Sequence, residues 1–223
     1  MTGAITPELL LQAYAAGVFP MARSRDDPDI HWIEPQRRGV FPLDAFHISR
    51  SLRRHILRSG ASVTVDRDFA GVVSACGDRD ETWINAPITT LYQALHRQGF
   101  AHSLEVWRDS ALIGGVYGVV LGAAFFGESM FSREVDASKL ALAYLIHRLR
   151  SGGFQLFDTQ FLTPHLASLG AVEIPKSDYQ RQLRAALTAR ADFNPPDYPP
   201  EPLPVAVAAG AAAGTSQFST QTS

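Results

Sequence analysis

Three apolar stretches in direct succession, 103–107, 111–120 and 123–131, constrain this chain more than any other feature. Ser103-Leu104-Glu105-Val106-Trp107 alternates with the period of a half-buried strand, the middle stretch is apolar and glycine-rich, and Leu121-Gly122 supplies a turn before the third. Consecutive strands joined by short turns run antiparallel. The pattern then changes to a helical period over 137–150 and back to an apolar strand over 154–158. A meander, a helix and a returning strand predict an α+β fold.

Shorter elements surround this centre. Thr6 before Pro7 is a helix start, with the helix running through Leu10 and Tyr14 to Gly17. Phe19-Pro20 ends it, and a polar, irregular stretch extends to about Pro35. Further helices are expected from His47 or Ser49 to Arg58 and over 69–76, 88–97, 163–169 and 177–189, with a short strand at 62–65. The last thirty residues differ: six of the 14 prolines lie between Pro195 and Pro204, followed by an Ala/Gly run and a Ser/Thr/Gln end. Such a segment buries too little apolar surface to offset its ordering entropy. The expected division is a small N-terminal domain at 1–36, a larger domain at 37–191 and a disordered tail at 192–223.

Composition excludes several classes. A hydrophobic content of 46% with 19% charged residues describes a soluble globular chain. The longest apolar stretch, 114–127, is interrupted by glycines and is too short to span a bilayer, so no membrane partner is expected. Cys76 is the only cysteine, which rules out an internal disulfide and fits a cytoplasmic location. The net charge of -2 means that any nucleic-acid contact must come from a local patch.

Such a patch exists. Arg50, Arg54 and Arg58 recur at helical spacing with Arg53 beside them and no acidic partner between His47 and Arg58. A solvated helix face is one reading, and contact with a phosphate backbone is the other. Asp158 and Gln160 stand two apart at the end of the returning strand, so their side chains share a face while Thr159 points away. An acid beside an amide can orient a nucleophilic amine, or Asp158 can simply cap the following helix. Glu128 follows Phe125-Phe126-Gly127 and is either a ligand for a cation or amine or an exposed strand end. Met130, Phe125, Phe157 and Leu142 form either a pocket or ordinary core. No phosphate-binding Gly-Lys-Ser/Thr loop, no nucleophile elbow and no metal-ligand histidine spacing occurs. Glu134 and Asp136 occupy the turn where a coenzyme A pyrophosphate would need a glycine-rich loop, so no cofactor and no metal are expected.

Taken in order, Ala101-His102-Ser103-Leu104-Glu105-Val106-Trp107, Gly114-Gly115-Val116-Tyr117-Gly118, Gly127-Glu128-Ser129-Met130-Phe131-Ser132, Ala137-Ser138-Lys139 and Ala167-Ser168-Leu169-Gly170-Ala171 resemble the bacterial leucyl/phenylalanyl-tRNA–protein transferase family. Tyr14, Gly17-Val18-Phe19-Pro20, His47-Ile48-Ser49-Arg50-Ser51 and Thr82-Trp83-Ile84 extend the resemblance towards the N-terminus. It implies a small N-terminal domain and an acetyltransferase-like (GNAT-type) C-terminal domain. It also implies transfer of Leu or Phe, and less readily Met, from aminoacyl-tRNA to proteins that begin with Arg or Lys, which marks them for degradation. By the same resemblance Gln160 aids the attacking amine and Asp158 orients it, while Glu128 binds substrate. Val116, Phe125, Met130, Leu142 and Phe157 would line the side-chain pocket, and Arg50, Arg54 and Arg58 would contact tRNA. The position after Phe19-Pro20, often an adenine-stacking Trp in the family, is Met21 here, which leaves Tyr14 or Trp32 as aromatic substitutes. An acyl-CoA N-acetyltransferase and a non-catalytic tRNA-binding adaptor are the alternatives.

Overall fold

Local signals set the first helix. In the computed structural model, which describes residues 5–198 and Val207, α1 covers Pro7–Ala15, with the Thr6 hydroxyl accepting the Leu9 N–H at 3.2 Å. The irregular stretch that follows holds a small antiparallel hairpin, β1 (Phe19–Met21) with β2 (His31–Ile33), and then β3 (Arg37–Val40). Next come α2 (Arg50–Arg58), β4 (Ser62–Val65), α3 (Phe69–Gly77) and α4 (Ala86–Arg97), with Ser49, Asp68 and Asn85 as side-chain caps of the three helices. The central meander is β5 (Ala101–Arg108), β6 (Ala111–Leu121) and β7 (Ala124–Ser132). It is followed by α5 (Ala137–Ser151), β8 (Leu156–Gln160), α6 (Pro164–Ser168), β9 (Val172–Pro175) and α7 (Lys176–Thr188). The mixed α+β class is as the period changes predict.

Seven strands form one sheet in the order β4-β5-β6-β7-β8-β3-β9. The meander accounts for its antiparallel half. Because α5 carries the chain back across the sheet, β8 lies parallel to β7. β3, an element absent from the sequence reading, fits between β8 and β9 and pairs antiparallel with both. Gly39 explains how it fits: a Cβ there would stand 2.7 Å from the Phe161 carbonyl carbon and 2.9 Å from the Leu162 amide nitrogen. Only a glycine admits the end of β8 so close.

Apolar layers cover both faces. One contains Phe41, Leu52, Val116, Phe125, Leu142 and Phe157, and the other contains Leu10, Tyr14, Phe19, Tyr92, Tyr117 and Tyr179. The N-terminal segment therefore shares a core with the body of the protein. Part of the expected disordered tail is packed instead. Phe193 is buried, stacks on His102 at 4.4 Å, and offers its carbonyl to Arg148 at 2.8 Å, while Tyr198 bonds His147 at 2.9 Å. One aromatic ring under an arginine outweighs the unfavourable local composition. Residues 199–206 and 208–223, the remainder of that expectation, lie outside the described residues. Among the described residues no helix is long and apolar enough to cross a membrane.

Candidate active site

The ladder between β7 and β8 stops at Phe126 and Asp158, although both strands continue. Their ends part, and a cavity of about 470 Å³ opens there, within the range of small-molecule sites. Gly127, Glu128, Ser129 and Met130 form one wall and Phe157, Thr159 and Gln160 the other. Val116, Leu142 and Leu166 add apolar surface, and Met21 and Trp83 stand at the side of the N-terminal hairpin. An Ala22 N–H bond to the Trp83 carbonyl, 3.2 Å, keeps those two segments together. The gap gives access from both faces, so an apolar lining from one layer meets a carboxylate backed by the other.

Glu128 sits on β7 under two tyrosines, Tyr14 of α1 and Tyr92 of α4. Tyr14 donates to Oε1 and Tyr92 to Oε2, both at 2.6 Å, and the two phenol oxygens are themselves 2.7 Å apart. Three short oxygen–oxygen contacts need three protons, and the phenols bring two. The third comes from Glu128 when it is protonated: its carboxyl then donates to one phenol, and that phenol donates to the other instead of to the carboxyl. Burial, opposed by the bonds from Tyr14, Tyr92 and Gln160, raises the Glu128 pKa to about 7. Burial first and the Glu128 charge second push both phenols well above their ordinary range, so they stay protonated.

Gln160 closes the group, its Nε2 donating to Glu128 Oε2 at 2.9 Å. That bond uses the amide nitrogen and leaves the oxygen available as an acceptor. The backbone of Gln160 has φ +64°, and the Phe161 N–H bonds the Thr159 carbonyl at 2.7 Å around it, which makes a γ-turn. A non-glycine residue there costs on the order of 1–3 kcal/mol, a strain typical of functional positions. Thr159 also lines the cavity rather than pointing away from the site, and its hydroxyl oxygen is buried without a partner. The parted strands expose both sides of β8 at this point, which two-residue alternation does not anticipate.

Asp158 turns towards the same layer as Gln160 but does not line the cavity. Its oxygens accept from Arg38 Nε at 2.9 Å and Nη2 at 2.7 Å, from the Tyr179 hydroxyl at 2.7 Å and from the Gln160 N–H at 2.8 Å. Arg38 and Asp158 are both fully buried. Burial alone would lower the arginine pKa; the Asp158 charge and hydrogen bonds outweigh it and raise the value.

The other sequence candidates divide clearly. Glu128, Gln160, Met21, Val116, Met130, Leu142 and Phe157 line the cavity. Phe125 does not; it stands edge-on behind Phe157, ring centroids 5.4 Å apart. Tyr14 is spent on Glu128, and Trp32 is 40% exposed on the hairpin, opposite Pro20. Neither lines the cavity, whereas Trp83, Phe157 and Phe161 do. Trp83, Arg79, His165 and Leu166 are cavity residues that the sequence reading gave no role. Trp83 was visible inside Thr82-Trp83-Ile84, but nothing local marks Arg79 or His165. Burial first and the Lys139 charge second lower the His165 pKa, with Asp136 opposing them. Arg50, Arg53, Arg54 and Arg58 are all exposed on α2, with Leu52 and Ile56 facing the core. Among the described residues no group of three or more His, Cys, Asp or Glu side chains could hold a metal ion.

The leucyl/phenylalanyl-tRNA protein transferase family model matches residues 40–184, and the model of that family's N-terminal domain matches 3–36. A leucyl/phenylalanyl-tRNA–protein transferase of Cereibacter sphaeroides is 68% identical over 202 residues, covering 91% of this chain and 94% of that protein. One of Ruegeria pomeroyi is 66% identical over 189 residues, covering 85% and 90%. Among solved structures FemX superimposes with a TM-score of 0.52 over 74% of this chain and 66% of FemX, at 14% identity, a likeness of fold alone.

Proposed function

The chain belongs to the leucyl/phenylalanyl-tRNA–protein transferase family, and we propose that the gap between β7 and β8 is where a charged tRNA meets the α-amino group of an acceptor protein. The protein is an aminoacyltransferase. The transferred side chain, Leu or Phe and less readily Met, enters the apolar end formed by Val116, Met130, Leu142, Phe157 and Leu166. Trp83, with Met21 beside it, offers the terminal adenosine a surface on which to stack. The acceptor begins with Arg or Lys, and the product is marked for degradation in the cytoplasm. An N-terminal unit ending at about residue 36 and an acetyltransferase-like body belong to the same reading; the parted parallel strands at the cavity support the second.

The reaction forms a C–N bond and breaks the ester C–O bond, and one amine proton ends on the departing ribose oxygen. The ester is already activated, so positioning and charge stabilisation carry the catalysis. Gln160, its amide held by Glu128, presents its oxygen to an N–H of the attacking amine. Asp158 orients Gln160 through its backbone. Arg50, Arg53, Arg54 and Arg58 contact the tRNA backbone.

The observation that carries this reading is the joining, in one cavity, of an apolar floor to an oriented amide and a carboxyl poised near neutrality. The test is transfer from Leu-tRNA or Phe-tRNA to a peptide beginning with Arg. Asp158→Ala and Gln160→Ala, each tested as the fraction shown to be folded by circular dichroism, are expected to lower it by about a hundredfold or more, to a residual rate. Folded variants with wild-type rates would remove these residues from the mechanism.

A further inference from the structure

Gln160 depends on its strained turn, and a γ-turn at a glutamine persists only where its surroundings hold it. The Gln160 N–H is held by Asp158 Oδ1 at 2.8 Å, so the turn is as well fixed as that carboxylate. Arg38 fixes the carboxylate. Its Nε lies 2.9 and 3.1 Å from the two oxygens and its Nη2 lies 2.7 Å from Oδ2, a forked contact. The guanidinium is clasped between the rings of Phe19, at 4.5 Å, and Tyr179, at 4.6 Å. Its remaining nitrogen donates to the Gly17 carbonyl at 3.1 Å. The α1–β1 turn, β3 and α7 thus converge on one side chain outside the cavity.

We propose that Arg38 is a positioning residue for aminoacyl transfer: by clamping Asp158 it holds Gln160 in its γ-turn and so aims the amide at the attacking amine. The inference rests on the reading of Gln160 given above. A lysine would keep the charge but lose the planar fork that fixes both carboxylate oxygens. A role confined to stability would lower the melting temperature and leave the turnover of the folded enzyme unchanged.

The test compares wild type, Arg38→Lys, Gln160→Ala and the double variant in steady-state transfer, each shown to be folded by circular dichroism. Arg38→Lys is expected to lower kcat by on the order of tenfold to a hundredfold, the scale of a slightly misplaced catalytic group. Its KM for charged tRNA and for peptide should stay within about threefold, because the lining is untouched. The double variant should be no slower than Gln160→Ala, since both changes remove the same oriented amide. Tyr179→Phe, which deletes one donor and keeps the ring, should shift kcat in the same direction by less, and it replaces Arg38→Lys if that variant does not fold. A slow Gln160→Ala enzyme beside a clamp variant of wild-type kcat would overturn the clamp alone. A double variant slower than Gln160→Ala by the full Arg38→Lys factor would also overturn it. A Gln160→Ala enzyme with wild-type kcat would dismiss the amide, and the clamp with it.

Discussion

Replacing Glu128 by glutamine keeps the shape of the side chain and removes its titration. An amide at this position can also donate to a phenol oxygen, as the protonated carboxyl does in the triangle with Tyr14 and Tyr92. The folded carboxyl has a pKa of about 7 against an ordinary glutamate value of 4.5, with burial the main cause. Between those two values the unfolded chain has released a proton that the folded protein retains. Stability from this group is therefore undiminished below the lower value, declines as pH rises, and reaches its minimum above the upper one. One pH unit inside that window costs up to about 1.4 kcal/mol, and the whole window costs about 3 kcal/mol. Urea unfolding of wild type and Glu128→Gln at several pH values isolates the effect, because every other group titrates alike in both proteins. The stability of the variant relative to wild type should rise by about 2 to 3 kcal/mol between about pH 5 and about pH 8. A difference that stays flat over that range would refute the raised pKa and the proton count behind it. A difference that falls with pH would mean that the ionised form is the one the fold prefers.

Gly39→Ala should press a methyl group into the backbone of Phe161, 2.7 Å away, destabilising the protein by about 1–3 kcal/mol in a thermal melt and lowering kcat because the Gln160 turn must move. Val116→Leu should shorten the apolar end of the cavity and reduce transfer of Phe relative to Leu by about tenfold, read from competition between the two charged tRNAs. Arg54→Glu with Arg58→Glu should weaken tRNA binding and flatten its salt dependence by about one or two units of slope, with the melting temperature unmoved, since both side chains are exposed.

How far the fold was legible depended on element length. The meander, α5 and the capped helices announce themselves because many residues repeat one period or one residue completes a local cap. The hairpin strands, β3 and β9, of three or four residues each, do not, although β4, equally short, does through its alternating Ser62-Val63-Thr64-Val65. In β3 the sequence Arg37-Arg38-Gly39-Val40 offers a charge pair and a glycine where a strand pattern should be. Arg38 reads as a surface residue until its partner, 120 positions later, is brought against it. Phe193 and Val207 show the same limit at the other end of the chain: composition argued for disorder, yet both side chains are buried, Phe193 with its carbonyl held by Arg148 of α5.

By itself the sequence determined the class of fold, the helix starts and the basic face of α2, and it singled out Glu128, Asp158 and Gln160 as candidates, because each is a matter of local period, local charge or a polar residue out of place. Tertiary structure alone decided that β7 and β8 part after Phe126 and Asp158, that Asp158 faces Arg38 rather than the cavity, and that Tyr14 and Tyr92 share a proton-poor triangle with Glu128. Each of these depends on groups far apart in the chain meeting where water is excluded. There the desolvation of a charge and the number of protons available to satisfy it are fixed by the neighbours, and no short window of sequence contains them.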